Sequence, residues 1–271
     1  TGAKLLFKTS FGPGVTLSAP TNLNVANAWQ YITGTDQQTG FTFPVKGLGS
    51  DATSLQLIGP YSYNGTALTS SNVNSYFGNQ IQSVVGPKGN TVNALYLNLK
   101  LKQEPLGMGN SQVQFVINRP WNIGDTGDVY ISYWYKFPAD LAQKLDASAT
   151  GSNWRMMFTW KTGGWNNEYR GDYRIQTLVH KGADGKFYWK NQGDNNANLT
   201  KSQVPTFEPK IYWTERNTTV PVPIGKWFKF EVFWHRSAGA DGRYWTAVNG
   251  QKLTDRYGPN MGDYKLPVTR I

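Results

Sequence analysis

The chain has 271 residues, no cysteine and a formal net charge of +10. The absence of cysteine excludes a disulfide scaffold, and no apolar stretch reaches the roughly 20 residues that a membrane-spanning helix needs. The sequence also lacks zinc-finger spacing, an RNP-like motif and a Lys/Arg-rich run, so we expect neither a nucleic acid nor a membrane as its partner.

Short apolar runs, separated by turn residues that include 29 Gly and 14 Pro, predict a chain of many strands. In chain order, period-two alternation predicts strands over residues 95–101, 112–117, 129–136, 154–161, 173–180, 227–235 and 243–248. A helical period occurs only over 139–145, and Asn249-Gly250 predicts a tight turn. Because each predicted strand has one apolar and one polar face, the sequence predicts an all-β sandwich of antiparallel sheets, with 1–271 as a single domain.

The composition points to a polysaccharide partner. The chain has 11 Trp, 15 Tyr and 13 Phe, and amphipathic rings suit the apolar faces of sugars. Residues 1–135 carry 7 Lys+Arg against 5 Asp+Glu, whereas residues 136–271 carry 20 against 12. A basic half of this kind favours an anionic polymer. Packing in a β-sandwich core explains many of the aromatic residues equally well.

Three segments, Gly225–Trp234, Asp241–Arg243 and Val248–Gly250, resemble the strand and hairpin of the concanavalin A-like lectin/glucanase superfamily. Tyr133–Pro138 and Trp154–Lys161 are similar to the central strands of its secreted polysaccharide lyases, the heparin lyase-like and glucuronan lyase-like enzymes. The resemblance covers about residues 127–253. It implies a jelly-roll β-sandwich of two antiparallel sheets, one of them concave, in a secreted, monomeric, extracellular protein.

The sequence departs from two better-defined groups of the superfamily. The Arg-Ser/Thr-Glu-Leu and Gln-x-His strands of alginate lyases are missing, and Tyr173–Gln176 matches their tyrosine motif only loosely. Glycoside hydrolases carry paired carboxylates on one strand, whereas Glu231 stands alone on its strand. A hydrolase is therefore the weakest of the enzyme hypotheses.

Elimination on a uronic acid polymer needs a group that neutralises the carboxylate, a base for the C5 proton and an acid for the leaving oxygen. Arg174, Gln176 and His180 share one face of a predicted strand, where they suit the first two tasks. Tyr188 is the candidate acid. A solvated strand face with a hydrogen-bonded histidine explains the same pattern.

A second polar face, on the predicted strand over 227–235, carries Lys229, Glu231 and His235. If this strand lies in the same concave sheet as His180, then His235 is an alternative base. The other interpretation is a solvated Lys229–Glu231 charge pair and a histidine at a hairpin edge.

The segment over 161–170 combines glycine hinges with aromatic and basic residues, as in a cleft wall over a sugar chain. A long loop of the sandwich is the alternative interpretation. The predicted substrate-binding residues are Arg155, Lys161, Trp165, Tyr169, Arg170, Trp189, Lys229, Glu231 and Trp245.

Elimination of this kind requires no cofactor, and we assign no metal-binding residue. The oxygen-bearing side chains of Asp194, Asn195, Asn196 and Asp255 suit a structural calcium ion, although Asx turns explain them equally well.

Two functions follow from these residues. The first is a polysaccharide lyase that cleaves an anionic, uronic acid-containing polysaccharide by β-elimination. The alternative is a non-catalytic carbohydrate-binding module or lectin that binds a plant or microbial polysaccharide, favoured by the Trp and Tyr content and by the lack of a sharp catalytic motif.

Overall fold

The computed structural model describes most of the chain: residues 2–21, 23, 27–44, 53–58, 67–100, 110–114, 127–145, 153–161, 173–195 and 210–261. The chain divides into two compact units, one built mainly from residues 1–122 and the other from 123–149 and 153–269. The prediction of a single domain over 1–271 stays a prediction. Neither helix in the described ranges has the length and apolarity to cross a bilayer.

The first unit contains a four-stranded antiparallel sheet in the order β1-β2-β3-β6 and a separate β4-β5 hairpin. Its apolar core combines strand residues with residues at the short helix α1. The bounds are β1 Val15–Leu17, β2 Asn27–Gly34, β3 Ser54–Ile58, α1 Val73–Tyr76, β4 Gln80–Val85, β5 Thr91–Tyr96 and β6 Asn110–Gln114.

Two of the predicted strands differ from those observed in this unit. The strand predicted over 95–101 ends at Tyr96, because the next backbone groups have other partners. The Asn98 amide donates to the Asn79 side chain at 2.9 Å, and Leu99 forms only an isolated bridge with Phe77. The strand predicted over 112–117 is observed as β6, and residues 115–117 lie outside the described residues.

The second unit contains two four-stranded antiparallel sheets, which we call the front sheet (β11-β10-β9-β8) and the back sheet (β14-β13-β12-β7). The bounds are β7 Asp128–Lys136, α2 Leu141–Lys144, β8 Trp154–Lys161, β9 Arg174–Lys181, β10 Phe187–Asp194, β11 Ile211–Asn217, β12 Trp227–His235, β13 Arg243–Val248 and β14 Gln251–Tyr257. The all-β prediction is confirmed, and the antiparallel sheets are consistent with the predicted β-sandwich jelly roll.

Aromatic side chains from both sheets fill the interior of the second unit. Trp160 of β8 packs on Trp234 of β12 with ring centroids 3.9 Å apart. Trp189 of β10 contacts Phe228 and Phe230, at 5.9 and 6.2 Å. All five side chains are at most 2% exposed. Since successive strand residues point to opposite faces, this interior forces the alternate residues of each strand outward.

The hairpin between β13 and β14 turns where the sequence predicts it. Asn249 and Gly250 have φ values of +50° and +77°, the left-handed conformations that a two-residue type I′ turn requires. Asparagine and glycine adopt this region at the lowest cost.

A bulge in β8 changes which of its residues face inward. The register shifts between Met156 and Phe158, so Trp154 and Met156 share a face with His180, whereas Phe158 and Trp160 point into the interior. Period-two alternation predicts that Trp154, Met156, Phe158 and Trp160 share one face. This prediction is wrong, because a bulge inserts one extra residue.

We expect Phe230→Ala to lower the free energy of unfolding by about 3–5 kcal/mol, because it leaves a cavity between the sheets. Tyr130→Ala is the matched control, since Tyr130 is 54% exposed on the adjacent strand and such surface changes stay within about 0.5 kcal/mol. Urea denaturation measures both values. Equal losses in the two variants would contradict the described interior.

Candidate functional site

The outward face of the front sheet brings together four polar side chains from three neighbouring strands. Tyr188 of β10 lies directly opposite His180 of β9, and Lys190 lies opposite Arg216 of β11. Residues paired in this way share one face of an antiparallel sheet, with strands about 4.8 Å apart. We call His180, Tyr188, Lys190 and Arg216 the front cluster.

Ring stacking orders the front cluster. The His180 and Tyr188 rings stack with centroids 5.5 Å apart and an interplanar angle of 24°. The Arg216 guanidinium lies over the Tyr188 ring, 3.7 Å from its centroid, in a favourable cation–π geometry. Tyr188 is therefore held between a histidine and an arginine.

The surroundings of His180 keep its imidazole neutral. Burial, and then the positive charges of Lys190 and Arg216, lower the pKa of His180 from 6.5 to about 4. At neutral pH the ring therefore has an unprotonated nitrogen that can accept a proton. Because the low pKa also makes it a weak base, proton abstraction by His180 depends on strong stabilisation of the resulting anion.

Lys190 and Arg216 supply positive charge that is free to meet an anion. Among the residues that the structure describes, no carboxylate forms an ion pair with either side chain. Burial lowers the pKa of Lys190, an effect that the charge of Asp194 partly offsets. Lys190 is half-buried and Arg216 is exposed, so water screens the charge of Lys190 less than that of Arg216.

Arg174, by contrast, is engaged by a buried carboxylate. Its Nε and Nη2 atoms each donate to Asp194 at 2.9 Å, and the Gln192 amide donates to the same carboxylate at 2.7 Å. Asp194 is fully buried and Arg174 is 6% exposed. The prediction that Arg174 neutralises a substrate carboxylate is not favoured, because its charge is already compensated. Its position, on the same strand face as His180, suits support of the sheet beside the front cluster.

Gln176 lies between this ion pair and the front cluster. It is 7% exposed and pairs with Gln192 of β10 and with Thr159 of β8. Its amide donates to the Met156 sulfur at 3.8 Å. Its predicted role beside His180 and Tyr188 stays a prediction.

The second predicted polar face, on the strand over 227–235, lies in the back sheet. His235, Lys229 and Glu231 belong to β12, and Trp245 belongs to β13, both in the back sheet. Their alternate neighbours in β12 point toward the front sheet, so these side chains point away from it. The expectation that His180 and His235 share one concave sheet is therefore wrong. Strand pairing is non-local, and the alternation within a strand does not reveal it.

Two further predicted substrate-binding residues lie inside the sandwich. Trp189 is fully buried, and its indole donates to the Val220 carbonyl at 3.0 Å, so it cannot stack on a sugar. The β8 bulge places Arg155 opposite Val179, on the inner side near Tyr135, where burial lowers the pKa of Arg155. For both residues, strand pairing and burial rather than residue type decide which side each faces.

The remaining predictions fall at the edge of the described residues or beyond it. Lys161 ends β8 opposite Arg174. Trp165, Tyr169, Arg170 and Asn196 lie outside the described residues.

The carboxylates suggested for calcium bind arginine side chains instead. Asp194 accepts from Arg174, as described above, and Asp255 accepts from Arg243 at 2.8 and 3.1 Å. No cluster of three metal-binding side chains occurs within the described ranges. A structural calcium ion stays a prediction.

Sequence reasoning missed Lys190 and Arg216, the two cations of the front cluster. A signal for Lys190 was present: Tyr188, Lys190, Gln192 and Asp194 follow the period of two that places them on one strand face. No comparable signal existed for Arg216, because its placement depends on the pairing of β11 with β10.

Comparisons with solved structures find several alginate lyases. No protein-family model matches the chain, and no curated protein matches it. A variant of the alginate lyase Aly36B in complex with alginate trisaccharide shares 16% identity and a TM-score of 0.40, over 79% of this chain and 83% of that one. The alginate lyase vAL-1 from Chlorella virus shares 13% identity and a TM-score of 0.38, over 74% and 83%.

A second Aly36B complex, with alginate tetrasaccharide, shares 12% identity and a TM-score of 0.38 over 58% of this chain. That match spans 61% of the Aly36B chain. At these TM-scores and identities the likeness identifies neither a substrate nor a catalytic residue of this chain.

We expect the pKa values of the two histidines to be shifted in opposite directions from the ordinary value. His180 should titrate near pH 4, whereas hydrogen bonding to Asp128 raises the pKa of His235 above 6.5. The neutral form of His180 therefore stabilises the fold fully above pH 6.5, and this contribution is lost as the pH falls toward 4. NMR titration of the ring protons, assigned with His180→Gln and His235→Gln, measures both. A His180 midpoint at or above 6.5 would contradict the described surroundings.

We expect Asp194→Asn to destabilise the second unit by about 3–5 kcal/mol, because it leaves the Arg174 charge buried without a partner. Asp255→Asn is the matched control, since the Arg243–Asp255 pair has the same geometry but is partly exposed and should contribute about 1 kcal/mol or less. Denaturant unfolding of the two variants compares them directly. A small loss for Asp194→Asn would show that Arg174 is solvated.

Proposed function

We propose that this chain is a polysaccharide lyase that cleaves a uronic acid-containing polysaccharide by β-elimination. The observation that carries the proposal is the front cluster: two cations without a carboxylate partner among the described residues lie beside a neutral histidine and a tyrosine. These groups match the three tasks of the reaction. The proposal includes secretion, since a polymer of this kind is met outside the cell.

The cations perform the first task. Lys190 and Arg216 pair with the carboxylate of the uronic acid residue, and this pairing makes the C5 proton more acidic. When the proton leaves, negative charge develops on the same carboxylate, which both cations are already placed to stabilise. A sugar without a carboxylate offers them no such group, so the cluster favours an anionic substrate.

Proton transfer is the task of the two stacked rings. His180 accepts the C5 proton through its unprotonated nitrogen, and the electron pair of the broken C–H bond forms the C4=C5 double bond. As that double bond forms, the bond from C4 to the glycosidic oxygen breaks, and the Tyr188 hydroxyl donates a proton to that oxygen. The products are a new reducing end and an unsaturated uronate.

The first test is incubation of the protein with glucuronan, alginate, pectate, heparin and ulvan, followed by ultraviolet absorbance. The double bond of the product is conjugated with its carboxylate, so elimination on any of these polymers raises the absorbance. Mass spectrometry of the products confirms the loss of water relative to hydrolysis. A flat trace on all five polymers, from protein that is folded by circular dichroism, would contradict the proposal.

We expect Lys190→Met to lower kcat/KM about 10²–10³-fold, because it removes one group that stabilises the developing charge. Lys190→Arg should recover much of the loss, since arginine keeps the charge. An arginine cannot act as a base, so failure of this rescue would instead assign proton abstraction to Lys190. Lys252→Met is the matched control, because it removes the same charge from an exposed position on β14.

A further inference from the structure

The outward face of the back sheet carries a row of aromatic side chains. Tyr130 of β7 lies opposite Phe233 of β12, and Phe233 lies opposite Trp245 of β13. With strands about 4.8 Å apart, the three rings span about 10 Å across the sheet. We call Tyr130, Phe233 and Trp245 the back row.

Two more exposed rings extend the back row. Trp134 lies about 13 Å from Tyr130 along β7, at about 3.3 Å per residue. Tyr257 of β14 lies opposite Arg243, whose guanidinium is 5.2 Å from the Tyr257 ring and 5.7 Å from the Phe233 ring. Tyr130, Trp134 and Tyr257 are 54%, 50% and 59% exposed. Large rings exposed together on one sheet face mark an interaction surface.

The charges beside the back row are paired with one another. Lys229 contacts Glu231 at 2.8 Å, and Arg243 contacts Asp255 at 2.8 Å. His235 lies between two carboxylates, Asp128 at 2.6 Å and Asp241 at 3.6 Å. The same face also carries Lys136 of β7 and Lys252 of β14, so its lysine and arginine charges balance these four carboxylates, although the whole chain carries a net charge of +10. A polyanion would therefore meet no excess of positive charge here, in contrast to the front cluster.

We infer that the back row is a second carbohydrate-binding surface, which binds a neutral polysaccharide through stacking of sugar rings on Tyr130, Trp134 and Trp245. The apolar face of a sugar covers an aromatic ring, and its hydroxyl groups hydrogen-bond to the paired charges at the margins. This surface is distinct from the front cluster and does not depend on elimination.

The paired charges also favour a sugar over a protein as the occupant. The core of a protein interface is depleted of charged residues, and burying the ion pairs of this face against a protein would cost their hydration. A polysaccharide brings hydroxyl groups to every charged side chain that it covers, so less hydration is lost.

The test is affinity electrophoresis through gels that contain a soluble neutral polysaccharide: hydroxyethylcellulose, galactomannan or mixed-linkage β-glucan. We expect at least one of these polymers to retard the protein. The retardation should persist between roughly 0.1 and 1 M salt, although the Debye length falls from about 10 to 3 Å over that range. Tyr130→Ala and Trp134→Ala should each weaken binding several-fold.

Tyr96→Ala is the matched control, since Tyr96 is 41% exposed on β5 of the first unit and should bind as the unchanged protein does. Lys190→Met should also bind neutral polymers normally, and Tyr130→Ala should retain elimination activity, so the two proposals fail independently. The inference is overturned if none of the three polymers retards the protein, or if Tyr130→Ala and Trp134→Ala bind normally. A doubled mass in light scattering that Tyr130→Ala returns to the monomer value would instead assign this face to a second copy of the chain.

Discussion

The aromatic contact between the front and back sheets is the constraint on which both functional faces depend. Trp160 against Trp234, and Trp189 against Phe228 and Phe230, fix which alternate residues of each strand lie inside. A strand has only two sides, so every residue not used by this interior must point outward. The front cluster and the back row are thus the complements of one core, on opposite faces of the same unit.

Charge pairing gives these two faces different chemistry. On the front sheet the arginine with a carboxylate partner, Arg174, lies buried beside Asp194, whereas Lys190 and Arg216 have no such partner in the described part of the chain. On the back sheet Lys229 and Arg243 each contact a carboxylate. A count of charges along the sequence shows a basic half but cannot separate these cases. Recognition of a charged ligand depends on the charge that remains unpaired on each face of the unit.

The sequence predicts a strand well where its alternation is uninterrupted. The bounds of β12 and β13 were predicted to the residue, since apolar residues recur at every second position of β12, at Phe228, Phe230, Val232 and Trp234. Prediction failed for β8, where the bulge after Met156 moves later residues to the other face. Bulges depend on the pairing with a neighbouring strand, so a period-two pattern cannot reveal them.

Half of the front cluster was predictable for the same reason. His180 and Tyr188 stand on strands whose polar faces are legible in the sequence, and the short turn between them makes those strands neighbours. Arg216 joins the cluster because β11 pairs with β10. The connection between these two strands is much longer than the turn between β9 and β10. His235 was wrongly grouped with His180 because chemical type, rather than strand pairing, linked them.

The thickness of the sandwich also makes the energetic effects of substitutions on the two faces independent of each other. Packed sheets lie about 10 Å apart, and the side chains of Lys190 and Tyr130 project from them in opposite directions, which increases the separation. Substitutions more than about 7–10 Å apart without shared partners have additive effects. Lys190 and Tyr130 share none of the described contacts: the first lies beside His180 and Arg216, and the second bonds to Glu231. Loss of one face should therefore leave the other intact, so that the two proposed functions can be separated by substitutions within a single unit.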